Sequence, residues 1–145
     1  MKEFQLVDGK TSDGEWLFNL YQEAMLSCIE ATWGWDDEFQ SNGFSNNLKP
    51  TDWKIIRNGN ERIGGFVLKE SSGHLWLEMI ILKPSYQQKG VGRSVMSHIQ
   101  GIAKEKSLPL RLSVIKANPV KPFYLKLGFC QYDEDDSFYK MQFGP

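Results

Sequence analysis

The chain has 145 residues, 41% of them hydrophobic and 24% charged, with a formal net charge of −1. That length fits one domain around one sizeable core, so residues 1–145 are read as a single domain. The near-neutral balance excludes a global electrostatic case for nucleic acid or an anionic membrane as partner, and no run approaches the ~18 apolar residues of a membrane span.

The opening MKEFQLVDGK has no apolar core of signal-peptide length, and Phe4 with Leu6 ahead of Asp8-Gly9 reads as a short edge strand. Trp16, Leu17, Leu20, Tyr21, Ala24, Met25, Cys28 and Ile29 then recur at helical spacing, with Ser12 or Asp13 as cap and Gly34 as stop. WDDEFQSNGFSNNL is polar and broken by Gly43, which predicts a short, irregular helical segment. From Asp52 to Pro84 the pattern is a meander with turns at Asn58-Gly59 and Ser72-Gly73. Within HLWLEMIILKP, simple alternation puts Glu78 on one face with Trp76, Ile80 and Leu82.

After Pro84 the period becomes helical, and Val91, Val95, Met96, Ile99, Ile102 and Ala103 share a face as far as about Lys106. Leu110, Leu112 and Val114 alternate as a strand, NPVKPFYLKLGF reads as a short helix stopped by Gly128, and FCQYDEDDSFYKMQF as a closing hairpin around Asp133 to Asp136. The order β, α, α, β, β, β, α, β, α, β, β is that of an α+β protein built on a mixed sheet. Its two cysteines, Cys28 and Cys130, have apolar or aromatic neighbours and read as two buried free thiols. A reducing compartment follows, and a cytoplasmic location is expected.

The run SYQQKGVGRSVM raises the functional question. Gly90 and Gly92 stand between a strand ending near Leu82 and a helix beginning near Val91, with Lys89 and Arg93 beside them. The first turn of a helix offers unpaired N–H groups and a partial positive charge, and glycines let a ligand approach that backbone. The pattern describes a phosphate or pyrophosphate cradle, or else a basic loop with convenient glycines. A Walker loop would need Lys-Ser/Thr where Arg93-Ser94 stands, and a dinucleotide fingerprint would need glycine where Val95 stands.

The wider stretch ILKPSYQQKGVGRSVM resembles the signature of the GNAT superfamily, the GCN5-related N-acetyltransferases. Gln87, Gly90 and Gly92 fill its Gln/Arg-x-x-Gly-x-Gly/Ala pattern, with Leu82 and Pro84 as lead-in. VIKANPVKPFYLKLGF resembles the second motif of that family through Asn118, Tyr124, Gly128 and Phe129, although Asn118 stands one residue closer to Tyr124 than is usual there. The resemblance spans residues 51–143 and implies an α/β/α sandwich. Its mixed sheet would have about six to seven strands, splayed between the two central parallel ones, with about four helices.

The resemblance further implies acetyl-CoA as cosubstrate. Its pyrophosphate would lie on the N–H groups of Gln88, Lys89, Gly90, Val91, Gly92 and Arg93, with Gln87, Ser94, Asn118 and Tyr124 also in contact. Its pantetheine arm would pair with the backbone of Ile80, Ile81 and Leu82. Transfer to an amine needs a neutral nucleophile, donors for the thioester oxyanion and a proton for the departing thiolate. Backbone N–H near Ile80 or Ile81 suits the oxyanion. Tyr124, a phenol of pKa about 10, is the candidate general acid for a thiolate whose thiol titrates at about 8.5.

Glu78, the one acidic residue in its strand, is the candidate base. The acceptor site is expected in EATWGWDDEFQSNGF, where Trp33, Trp35 and Asp36 offer cation–π and ionic contacts to a small amine, polyamine, lysine or protein amino terminus. His74 reads as surface, His98 as partly exposed or structural, and Cys28 as no nucleophile. No metal is expected, since no His/Cys/Asp/Glu set has ligand spacing. A homodimer through exposed C-terminal strands is an open expectation. Two other readings of the same residues are a catalytically silent acyl-CoA-binding module and an ATP-binding protein.

Overall fold

The computed structural model describes residues 4–87 and 90–145. Its elements are β1 (Gln5–Asp8), α1 (Gly14–Trp33), α2 (Asp37–Asn47), β2 (Lys54–Asn58), β3 (Glu61–Ser71), β4 (His74–Leu82), α3 (Val91–Lys106), β5 (Leu110–Ile115), α4 (Lys121–Lys126), β6 (Cys130–Glu134) and β7 (Phe138–Phe143), in the order the sequence patterns predict. The seven strands form one sheet in the order β1-β2-β3-β4-β5-β7-β6. Neighbours are antiparallel except β4 and β5, which run parallel at its centre.

Two apolar layers hold the sheet between helices. On one face Leu17, Leu20 and Tyr21 of α1 and Phe44 of α2 pack on Trp53, Ile55, Val67 and Ile81. On the other, Val91, Val95, Met96 and Ile99 of α3 and Tyr124 of α4 pack on Phe66, Leu75, Leu77 and Leu112. The helical period of these apolar positions on α1 and α3 is what turns each stripe toward the sheet.

Three local readings change. The segment after Trp35 is a regular helix of 11 residues, not an irregular one. Asp36 Oδ1 accepts from Phe39 N at 2.8 Å and caps it, and burial of Phe44 and Leu48 against Trp53 offsets its poor propensity. Asp13 precedes α1, but its carboxylate accepts from Lys10 N at 2.9 Å and from Arg62 Nη1 at 2.7 Å instead of capping that helix. Both cysteines are free, yet only Cys28 is buried. Cys130 lies on the edge strand β6, where alternation sends Phe129 inward and the thiol out to solvent.

The centre of the sheet carries the feature that positions the site. Val67 of β3 pairs with Met79 of β4, but the next residue, Leu68, pairs with Leu77. Glu78 is therefore an extra residue, a β-bulge, and it resets the alternation of β4. Leu75 and Leu77 share the α3 side with Ile80 and Leu82, whereas Met79 and Ile81 pack on the α1 side. The expectation that Glu78 shares a face with Ile80 and Leu82 is thus corrected: the bulge breaks the strict period on which it rested. Below the bulge β4 pairs with β5 at Leu75–Leu110 and Trp76–Arg111 only; above it the two strands diverge. Among the described residues, no helix is long and apolar enough to cross a membrane.

Candidate active site

The diverging strands enclose a cavity of about 310 Å³. It passes through the plane of the sheet. On the α3 side it is lined by Leu77, Ile80, Leu112, Val114, Val120 and Tyr124; on the α1 side by Met25, Trp76, Glu78, Met79, Ile115 and Phe138. Asn118 and Ser113 add polar atoms.

Tyr124 reaches the cavity because α4 is pinned on both sides. Gln100 of α3, a buried polar residue, donates from Nε2 to the Leu127 carbonyl at 2.8 Å just past the end of α4. Phe129 N donates to the Tyr124 carbonyl at 3.1 Å, and Gly128, at φ 94°, makes that reversal possible. The Tyr124 ring stands edge-on to Phe123 at 5.2 Å and to Phe129 at 5.5 Å. Only 7% of the residue is exposed, and burial alone pushes the phenol up to about 12. The hydroxyl therefore stays protonated and can act as a donor at any physiological pH.

Glu78 lies across the cavity from Tyr124, on the opposite face of the sheet: it keeps the alternation that places it with Trp76 and beside Lys69, while the bulge moves Ile80 and Leu82 to the α3 face. Lys69 Nζ stands 2.8 Å from Glu78 Oε2, but off the hydrogen-bonding direction. That oxygen is shut off from solvent and accepts no hydrogen bond among the described residues. The pairing with Glu78 holds the Lys69 ammonium above the usual lysine range. The rest of the Glu78 side chain, 30% exposed, lines the cavity, and a carboxylate at an apolar cleft is suited to receive an N–H proton.

The glycine loop adjoins the α3-side mouth. A Cβ built on Gly92 would stand 3.5 Å from Leu82 Cδ1 and 3.6 Å from Phe123 Cζ, so the first turn of α3 abuts both β4 and α4. Gly90 sits at φ 84° as the N-cap, a left-handed conformation that favours glycine. Ser94 N donates to Gly90 O at 3.0 Å, and among the described residues no side chain caps the helix, so the N–H groups of Val91, Gly92 and Arg93 can face a ligand. Such a terminus can hold a phosphate. Val91 is fully buried and anchors the turn, while Arg93 is exposed beside it. Gln87 donates from Nε2 to the Leu82 carbonyl at 3.1 Å and ties the loop to the strand. Gln88 and Lys89 lie outside the described residues.

Of the sequence-derived candidates, Tyr124, Glu78, Ile80 and Asn118 thus meet in one cavity, while Leu82 and Gly92 pack against each other outside its lining. The Ile81 side chain is buried on the α1 side. The acceptor candidates are dispersed. Trp33 is 54% exposed and reaches the cavity only through Phe138, at 5.6 Å between rings. The Trp35 ring packs near Tyr21 at 6.1 Å and its indole N–H donates to Asp37 Oδ1 at 2.6 Å, while the Asp36 carboxylate caps α2. None of the three lines the cavity. Met25, Met79, Ile115 and Phe138 do, and no local signal distinguishes them from ordinary core residues.

The family model described as an acetyltransferase (GNAT) domain matches residues 51–131, more than half of the chain. No curated protein matches. Among solved structures, PaiA N-acetyltransferase from Thermoplasma acidophilum, crystallised in complex with coenzyme A, superposes with a TM-score of 0.79 at 21% identity over 99% of this chain and 100% of that one. An acetyltransferase from Thermus thermophilus gives 0.75 at 14% identity over 97% and 96%. The ribosomal-protein-S18-alanine N-acetyltransferase from Escherichia coli gives 0.70 at 17% identity over 97% and 93%. Identities this low establish a shared fold, and the family match adds the motif-bearing half: the chain belongs to the GNAT acetyltransferase family.

Proposed function

We propose that this protein transfers the acetyl group of acetyl-CoA to a primary amine by direct attack on the thioester. The observation that carries the proposal is the cavity through the sheet, with Tyr124 on the α3 face beside the glycine loop and Glu78 on the α1 face. The pyrophosphate would rest on the first turn of α3, with the residues from Gln87 to Ser94 as its cradle. The pantetheine arm would enter along Ile80 to Leu82, past Asn118, to aim the thioester at the gap. That the solved PaiA relative is a complex with coenzyme A supports the ligand. No group of metal-ligating side chains is found among the described residues, and the chemistry does not call for one.

In the proposed reaction the amine approaches from the α1 face. Glu78, directly or through a water, accepts a proton from its nitrogen. The C–N bond forms as the thioester oxygen gains negative charge, which a backbone N–H near Ile80 or Ile81 stabilises. The C–S bond then breaks with Tyr124 donating its hydroxyl hydrogen to the sulfur as general acid. With the phenol at about 12, complete transfer to a thiolate of parent pKa about 8.5 is uphill by ~3.5 units, or ~5 kcal/mol. The donated hydrogen bond therefore carries most of the stabilisation. Trp33, exposed beside Phe138, would border the acceptor's path, whereas Trp35 and Asp36 act through the shape of the α1–α2 turn.

The test is release of free thiol from acetyl-CoA in the presence of an amine panel, with thermal stabilisation by acetyl-CoA as an independent readout of binding. Turnover that falls in Tyr124→Phe and Glu78→Gln while acetyl-CoA still stabilises the protein is the expected result. Stabilisation by ATP and not by acetyl-CoA would overturn the proposal.

A further inference from the structure

Resting on that reading, we infer that the acceptor is a compact primary amine bearing a single positive charge on an apolar, aromatic-sized body, and not a polyamine or an amino acid. The α1-side half of the cavity, where the acceptor must lie, is built from Met25, Trp76, Met79, Ile115 and Phe138 around Glu78. The Phe138 ring is backed by Trp33 at 5.6 Å. Faces and edges of Trp and Phe take another ring well, and flexible methionines adapt to its outline.

Charge decides against the alternatives. Among the described residues lining the cavity, Glu78 is the only one that ionises at neutral pH, and Lys69 already shares its charge at 2.8 Å. One ammonium can be received by the Glu78 carboxylate, which lines the cavity. A second ammonium on the same molecule finds no counter-ion in the described lining, and placing it among the apolar side chains is costly. A carboxylate on the acceptor would meet Glu78 with no cation in the lining to receive it. The acidic turn between α1 and α2 lies outside the cavity lining, and Asp36 and Asp37 there already accept hydrogen bonds from Phe39 N at 2.8 Å and the Trp35 indole at 2.6 Å.

The experiment measures kcat/KM at fixed acetyl-CoA for ethylamine, butylamine, phenethylamine, spermidine, glycine and an alanine-initiated peptide. The expected result is a rise of at least about tenfold from ethylamine to phenethylamine, the scale of added apolar contact in a hydrophobic pocket, with spermidine, glycine and the peptide well below phenethylamine. A Met25→Glu variant, which adds a second carboxylate to the α1-side lining, is expected to raise the spermidine-to-phenethylamine ratio. The wild-type panel decides the question even where that variant does not fold. Spermidine, glycine or peptide used as well as phenethylamine, with acetyl-CoA stabilisation intact, overturns this inference and leaves acetyl transfer standing. Absence of acetyl-CoA stabilisation overturns both.

Discussion

Replacing Tyr124 by Phe separates catalysis from stability, because the structure assigns the ring and the hydroxyl different tasks. The ring is packed between Phe123 and Phe129 in the α3-side core and stays in the variant. Burial desolvates the hydroxyl, and among the described residues its removal breaks no hydrogen bond. Folding stability near neutral pH should change by less than about 1 kcal/mol, with any change toward greater stability. Turnover should behave differently. A hydrogen bond to a charged group is worth about 1.5–3 kcal/mol, and at ~1.4 kcal/mol per decade its loss lowers kcat roughly 10–150-fold.

The same residue has a pH signature. Its pKa rises from the ordinary tyrosine value of 10.0 to about 12 on folding, so between those values the folded state binds more protons than the unfolded state. Stability is then fully present below pH 10 and is lost as pH climbs through 12. The loss relative to the variant sets in above pH 10 and levels off once both states have ionised. Denaturant unfolding of both proteins at pH 8 and pH 11, with thiol-release kinetics and acetyl-CoA titration at pH 8, measures each part. A kcat within twofold of wild type at unchanged acetyl-CoA affinity refutes the catalytic role. Parallel loss of stability in the two proteins at high pH refutes the desolvated hydroxyl.

Other substitutions probe the remaining parts. Deleting Glu78 removes the bulge while keeping Leu77 opposite Leu68 and Met79 opposite Val67; the protein should fold by circular dichroism yet lose acetyl transfer, and normal turnover would mean the bulge is dispensable. Glu78→Gln should lower kcat by roughly 10²-fold or more if the carboxylate takes the proton, at unchanged acetyl-CoA affinity; equal kcat across an amine panel assigns the base elsewhere. Gly90→Ala meets no neighbour within 4 Å but must adopt φ 84°, so it should cost about 1–2 kcal/mol in chemical denaturation and weaken acetyl-CoA binding by calorimetry; an unchanged midpoint would show that the loop relaxes freely. Gln100→Leu orphans the Leu127 carbonyl that Gln100 holds at 2.8 Å and should destabilise by about 1–3 kcal/mol, read as a lowered melting temperature.

What could be read before any coordinates was local. Apolar stripes of period 3.6 on α1 and α3, glycine turns at Gly59 and Gly73, and the short helix closed by Gly128 each follow from backbone preferences within a few residues, and their order survives intact. The loop from Gln87 to Ser94 was legible for the same reason, since an uncapped helix start with glycines is a property of contiguous chain. Tyr124 was found through its motif.

The tertiary structure decided what depends on partners remote in sequence. The bulge at Glu78 exists only in the pairing of β4 with β3, and it turns Ile80 and Leu82 to the face of Tyr124 while Glu78 stays on the opposite one, at the level where β4 and β5 part. Trp35 and Asp36 have the chemistry of an acceptor site, yet Asp37 and the first turn of α2 claim their polar atoms. Met25 and Phe138 stand 113 positions apart in the chain and share a cavity wall because α1 packs on β4 and its last residue, Trp33, meets Phe138 of β7. Periodicity assigns a residue to a face of its own element; which faces close around a common space is set by strand register and helix packing, and those carry no local mark.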